Sequence, residues 1–155
     1  TRTMAGSPRH RGPVHDRILG IDYGRGRHGL ATSDGLGMTS HPQPHLRRKN
    51  DEEDLATIQT IIDEQNICRL VIGLPLNMDG TEGFMAEEVR RFGHALSQTV
   101  DLPVTYEDER LTTEEAEEFL SAMSLRPRER RKLRDSVAAA ILVRSVLERE
   151  KNSSN

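Results

Sequence analysis

The sequence predicts an α/β fold, a mixed five-stranded sheet with helices on both faces. Three observations carry the prediction. The first apolar segments after residue 17 are short and broken by glycine or proline, as in strands joined by tight connections. Beyond residue 50, stripes of apolar residues at helical spacing alternate with short apolar runs. One of those runs, Leu70-Val71-Ile72, is continuous and bounded by Gly73 and Pro75, the pattern of a strand covered on both faces. Strands followed by strand–helix alternation give antiparallel neighbours first and parallel ones afterwards. At 155 residues the chain suits one domain, and no internal repeat or linker divides it.

Residues 1–16 mix Arg, His, Gly, Pro and Ser with almost no apolar content and read as a disordered leader; residues 17–150 form the domain and 151–155 a polar tail. Ile18 to Ile21 and the stretch resuming at Leu30 are two strands around a glycine turn. A third strand between Met38 and Leu46 contains Pro42 and Pro44, which confines it to an irregular or edge position. Asn50 caps a helix with an acidic first turn, in which Leu55, Ile58, Ile61 and Ile62 share a stripe ending near Gln65 or Asn66. Thr81 is placed to cap a second helix, with Met85, Val89, Phe92 and Leu96 on one face, and Pro103 marks its boundary. Val104 to Asp108 is the next strand. Thr112 and Glu115 have capping-box spacing for a third helix that turns Ala116, Phe119, Leu120 and Met123 inward and stops at Pro127. A fourth runs from about Asp135 to Glu148, its alanines allowing close approach to the sheet.

Composition excludes several classes. No apolar run approaches the roughly 18 residues of a membrane span, and no signal-peptide core is visible, so a soluble intracellular protein is expected. The single cysteine, Cys68, forms neither an internal disulfide nor a Cys-based zinc site and is expected in the core at the start of a buried strand. The net charge is −3, yet Arg126, Arg128, Arg130, Arg131, Lys132 and Arg134 form a dense basic block able to neutralise phosphates. Its bland counterpart is a solvated loop and helix end. There is no GxxxxGK[ST] string, and GRGRHG at residues 24–29 follows a strand without opening a helix, which argues against dinucleotide binding. His41 and His45 are expected on an exposed loop, and no serine lies in a GxSxG elbow.

Carboxylates at strand ends are the chemical signal. Asp22 ends the first strand in the string GIDYG, at a sheet rim where open α/β folds place ligands. Glu107, Asp108 and Glu109 end the last strand, and Asp135 lies on the inward stripe of the last helix, unless it is only that helix's cap. Three carboxylates converging at one rim repel each other unless cations intervene, and hard oxygen ligands select Mg2+ or Mn2+. Such a site suits two-metal phosphodiester cleavage, with the ions about 3.5–4 Å apart. The loop GLPLNMDGT, with Asn77 and Asp79, can bind a substrate phosphate beside the following helix.

Four strings, ILGIDYGRGRHGLATSD, VIGLPLNMDGTEG, YEDERLTTEEAEEFL and DSVAAAIL, resemble in order and spacing the bacterial YqgF family, also called RuvX, whose members are described as pre-16S rRNA nucleases or Holliday junction resolvases. The resemblance spans roughly residues 18–148 and implies a ribonuclease H-like fold in the bacterial cytoplasm. It implies catalytic and metal-binding roles for Asp22, Asp135 and Glu109, with Asp108 as the alternative to Glu109. It implies substrate contact or site support for Arg110, Thr112, Asn77 and Asp79, while Arg130, Arg131 and Lys132 supply a basic surface. The implied reaction is metal-dependent maturation of the 5′ end of 16S rRNA, with branched DNA as a second substrate class. Where the family often reads Lys-Arg-Ile this chain has Gly26-Arg27-His28, so a basic contact beside Asp22 is missing or comes from Arg25. Arg134 also stands where an apolar residue is usual. Two other classes compete: a non-catalytic nucleic-acid-binding module, and a sugar kinase or actin-type phosphotransferase, which needs two such domains. A resolvase acting symmetrically on a junction needs two sites, most simply a homodimer, whereas RNA trimming has no such requirement and leaves monomer and homodimer equally open.

Overall fold

In the computed structural model, residues 17–109 and 113–153 are described. Among them the predicted strands are β1 (Arg17–Asp22), β2 (Arg27–Ser33), β3 (Ser40–Arg47), β4 (Ile67–Leu74) and β5 (Val104–Asp108). They pair in the order β3-β2-β1-β4-β5, antiparallel on the β3 and β2 side and parallel from β1 to β5. β3 lies at the edge, and its register against β2 shifts between His28 and Leu30, as its two prolines require. The helices are α1 (Asp51–Gln65), α2 (Phe84–Val100), α3 (Thr113–Ala122), α4 (Pro127–Leu133) and α5 (Val137–Ser153). None of the described helices is long and apolar enough to cross a membrane.

Alternation along the strands divides the core in two. Leu19 and Ile21 of β1 and Ile72 of β4 pack with Ile58 and Ile62 of α1 and Val89, Phe92 and Leu96 of α2. Ile18, Ala31 and Val71 face the other way, against Leu120 of α3 and Ala139, Val143 and Val146 of α5. Each fully buried Leu, Ile or Val contributes about 1.5–3 kcal/mol relative to exposure, which anchors the sheet between its two helical layers.

Asn50 caps α1 by accepting a 2.9 Å hydrogen bond from the Glu53 amide, and Asn66 closes the helix in the left-handed conformation. The cap of α2 differs from expectation. Gly83, not Thr81, precedes the helix, because the Thr81 hydroxyl and amide are both engaged with Asp79 two residues back. Thr112 lies outside the described residues, as do Arg110, residues 1–16 and the last two of the tail; Lys151–Ser153 continue α5.

Pro127 begins an element rather than ending one. At the first turn of a helix its missing N–H costs nothing, so the basic block becomes α4. A single 3-10 turn, Arg134–Ser136, then joins α4 to α5. Asp135 sits in that turn instead of on the buried stripe of the last helix. Cys68 is exposed, not in the core, although Ile67 before it is already buried against the α1 and α2 layer.

Candidate active site

The C-terminal ends of β1, β4 and β5 meet on the face covered by α5. Asp22 is the last residue of β1 and is half-buried there. Glu109 follows β5, its amide donating a 3.1 Å hydrogen bond to the Leu74 carbonyl, so the extended path continues one residue beyond the strand. Alternation then separates the three neighbouring acids. Glu107 points toward α5, where both of its oxygens accept from Arg149 at 2.6 and 2.8 Å. Asp108 is exposed, and Glu109 returns to the α5 side.

The space for Glu109 comes from Gly73. A Cβ at that position would lie 2.9 Å from the Glu109 Cδ and Oε1 and 2.9 Å from Leu142 of α5. The Glu109 carboxyl is therefore packed between the sheet and α5, with its Oε1 buried and lacking a hydrogen-bond partner. It is also hydrogen-bonded to the Asp22 carboxyl. Burial first, then the hydrogen bond and the charge of Asp22, push its pKa up to about 9. Burial and the neighbouring Asp22 carboxyl both favour the protonated form of Glu109.

Asp135 reaches the same rim from the other side. A cavity of about 680 Å³ is walled by Asp22, Arg27, His45, Arg47 and Asp135 and floored by glycines of the β1–β2 turn. Within it Asp135 Oδ2 lies 3.2 Å from Arg27 Nε and 3.6 Å from His45 Nδ1, an atom that is buried without a hydrogen bond. The turn carrying Asp135 is pressed onto β2. The Ser136 hydroxyl accepts a 3.0 Å hydrogen bond from the Leu30 amide, and a Cβ on Gly29 would stand 2.0 Å from the Asp135 carbonyl oxygen. Asp22 and Glu109 thus touch each other, while Asp135 shares a cavity with Asp22 but is ion-paired to Arg27. Among the described residues no three His, Cys, Asp or Glu side chains already stand at metal-binding spacing.

The turn is also held from the opposite face. His28 is fully buried between Tyr23 and Phe92, and its Nδ1 accepts from the Gly24 amide at 3.1 Å. Burial, then the nearby Arg48 guanidinium, lowers its pKa to about 4, so it is neutral. Arg48 in turn donates to the Tyr23 hydroxyl at 3.0 Å and to the buried Asp54 at 3.1 Å.

The remaining predicted residues lie farther out. Asn77 and Asp79 are exposed and spend polar atoms on their own loop: Asn77 Nδ2 donates to the Thr81 hydroxyl at 2.9 Å, and Asp79 accepts from the Thr81 amide and hydroxyl at 3.0 and 2.6 Å. These bonds hold the Asp79 carboxyl below its ordinary range. Arg131 and Lys132 are exposed on α4 and Arg130 is half-buried. Arg25 does not serve the site, since it forms a 2.9 Å ion pair with Glu88; Arg27 is the basic neighbour of the acids. Sequence reasoning did not place Arg27, His45, Arg47, Gly29 or Gly73 at the site. Period-2 alternation from Arg47 back through His45 along β3 carried the only available signal, and the two prolines obscured it.

The chain matches, over residues 16–149, the family described as "RuvX: Holliday junction resolvase". A protein of Syntrophus aciditrophicus is 42% identical over 132 residues, covering 85% of this chain and 88% of that one. One of Halothermothrix orenii is 43% identical over 131 residues, covering 84% and 94%. Both carry the name "Putative pre-16S rRNA nuclease". Among solved structures, Thermus thermophilus RuvC superimposes with a TM-score of 0.56 at 14% identity, covering 87% of this chain and 96% of that one. RuvC bound to a Holliday junction gives 0.55 at 15% identity, covering 88% and 97%. At those identities the likeness concerns the fold, and it agrees with the ribonuclease H-like sheet expected above.

Proposed function

The chain belongs to the RuvX family, and from that premise we propose that it is a metal-dependent endonuclease hydrolysing phosphodiester bonds of structured nucleic acid, its principal substrate being the 5′ end of pre-16S rRNA. One observation carries the reading: two carboxyls from different strands, Asp22 and Glu109, are packed together with a buried oxygen of Glu109 lacking a partner. Forcing two acids together costs stability, and a fold retains such an arrangement where function requires it.

The three carboxyls fit a hard divalent cation, Mg2+ or Mn2+, because their donors are oxygens and one of them, Glu109 Oε1, has no hydrogen-bond partner in the protein. Asp22, Glu109 and Asp135 are the residues that would hold it. When bound, the cation acidifies water and neutralises charge on the phosphate. The rest of the chemistry belongs to the chain. Gly73 and Leu142 confine the Glu109 carboxyl against Asp22, and Ser136 and Gly29 hold the Asp135 turn against β2. Arg27 neutralises Asp135 in the free protein and leaves its guanidinium beside the cavity where an anionic substrate would lie. Asn77, Asp79, Arg110 and Thr112 are assigned to supporting the loops around the site, and Arg130, Arg131 and Lys132 to backbone contact. A cytoplasmic setting goes with the rRNA substrate.

Cleavage of a pre-16S rRNA fragment beside a four-way DNA junction, each with Mg2+ or Mn2+, tests the reading. Wild type is expected to cut the RNA, and Asp22→Asn, Glu109→Gln and Asp135→Asn to lower the rate by at least about 100-fold. Preferential, symmetric cutting of the junction would favour the second reading, a Holliday junction resolvase, the activity that the family's description names; symmetric cutting needs two sites, most simply a homodimer. Binding of both substrates with no cleavage by wild type would overturn the nuclease reading in favour of a binding module.

A further inference from the structure

The hairpin of β2 and β3 ends in a pair of like charges. Arg27, the first residue of β2, stands directly opposite Arg47, the last of β3, and the Arg48 amide donates to the Gly26 carbonyl at 3.1 Å to close the ladder beside them. Like charges facing each other across an antiparallel pair are destabilising, so neither edge-strand stability nor register accounts for the second arginine. Arg27 is partly neutralised by Asp135, whereas Arg47 is exposed and has no acidic partner among the described residues. Other arginines nearby are satisfied: Arg25 by Glu88, Arg48 by Asp51 and Asp54. Arg47 also lines the cavity that contains Asp22 and Asp135, and α4, with Arg131 and Lys132 exposed, packs against the same edge strand.

We propose that Arg47, paired with Arg27 across the hairpin, is a phosphate-binding subsite that receives the nucleic-acid backbone beside the cut and leads it over the β3 edge toward α4. The inference rests on the nuclease reading and adds a direction to it: the bound strand runs out of the carboxylate cavity on the β3 side, away from the loop of Asn77 and Asp79. A guanidinium is suited to the role because its planar donors match two phosphate oxygens at once. The ligand chemistry is the phosphodiester itself, which RNA and DNA share.

The test measures binding of a fluorescein-labelled RNA hairpin with a single-stranded extension, and of the DNA of the same sequence, in EDTA across a salt series. Arg47→Gln is expected to weaken both complexes and to reduce the slope of log K against log salt by about 1, the signature of one lost phosphate contact. Arg47→Lys should recover most of the slope. Arg69→Gln, at the opposite end of the sheet and bonded to Glu150, should leave it unchanged. An unchanged slope in Arg47→Gln with a wild-type thermal midpoint overturns the subsite while leaving the cleavage test of Asp22→Asn untouched. A loss of affinity confined to RNA, with the slope unchanged, overturns a phosphate contact in favour of the 2′-hydroxyl. Wild type that neither binds nor cuts either nucleic acid overturns the subsite together with the nuclease reading.

Discussion

Glu109 and His28 are both buried titratable groups, and they bend stability in opposite directions. The Glu109 pKa rises from 4.5 to about 9 on folding, so the folded state binds the extra proton between those values and stability falls as pH rises through that window. Glu109→Gln should therefore raise the thermal midpoint at pH 8 relative to pH 5, read as a flatter midpoint-versus-pH curve in EDTA, while abolishing cleavage. His28 falls from 6.5 to about 4, so its contribution is complete above pH 6.5 and is lost as pH drops toward 4. The loss is at most about 3 kcal/mol, and His28→Gln should remove the acid-side slope in the same titration. Gly73 offers a third test. A methyl there meets the flexible end of Glu109 rather than backbone, so Gly73→Ala is expected to lower stability by only about 1–3 kcal/mol but to cut the cleavage rate much more steeply. Equal losses in both would show that the glycine serves packing alone.

The element that decides the third acid is the 3-10 turn between α4 and α5. Its position depends on one side-chain bond, Ser136 to the Leu30 amide, and on a glycine that lets backbone meet backbone. Ser136→Ala leaves a buried amide without its acceptor, and a cost of about 1–3 kcal/mol is expected by chemical denaturation, with reduced cleavage because Asp135 is no longer held against β2. Gly29→Ala is the harsher change, since its methyl meets the Asp135 carbonyl and neither side can give way without moving the turn or the strand. These dependences were not legible in the chain. The helical pattern of residues 135–148 correctly indicates a helix packed on the sheet, but periodicity does not register a single 3-10 turn at its start. For the same reason the basic run, left open in the sequence between a phosphate-neutralising block and a solvated loop and helix end, is a separate seven-residue helix, α4.

Over the whole molecule, a chain of net charge −3 gathers Arg27, Arg47 and the exposed Arg131 and Lys132 of α4 beside the β3 edge. Neutralising Arg130, Arg131 and Lys132 together should weaken binding about equally across sequences and flatten its salt dependence, without altering which bond is cut. Gel-shift titrations at several salt concentrations, alongside mapping of the cleavage position, check both parts. A changed cleavage position would place α4 in substrate selection instead of general backbone contact.

Periodicity, punctuation and strand-end position were enough to read the five strands, helices on both faces, and Asp22 at the rim, because each follows from neighbours within a few residues along the chain. The Asn50 cap and the edge position of the proline-bearing β3 were legible for the same reason. The choice of Glu109 over Asp108 required the extended path to be followed past the end of β5 and the space beside Gly73 to be seen. The pairing of Asp135 with Arg27 and His45 joins residues about 90–108 positions apart in the chain, through two strands whose shared register is set only when the sheet forms. Local sequence preferences determine elements and their order; which charges face one another depends on long-range packing, and at this site that packing brings Asp22 and Glu109 together and directs Asp135 toward Arg27.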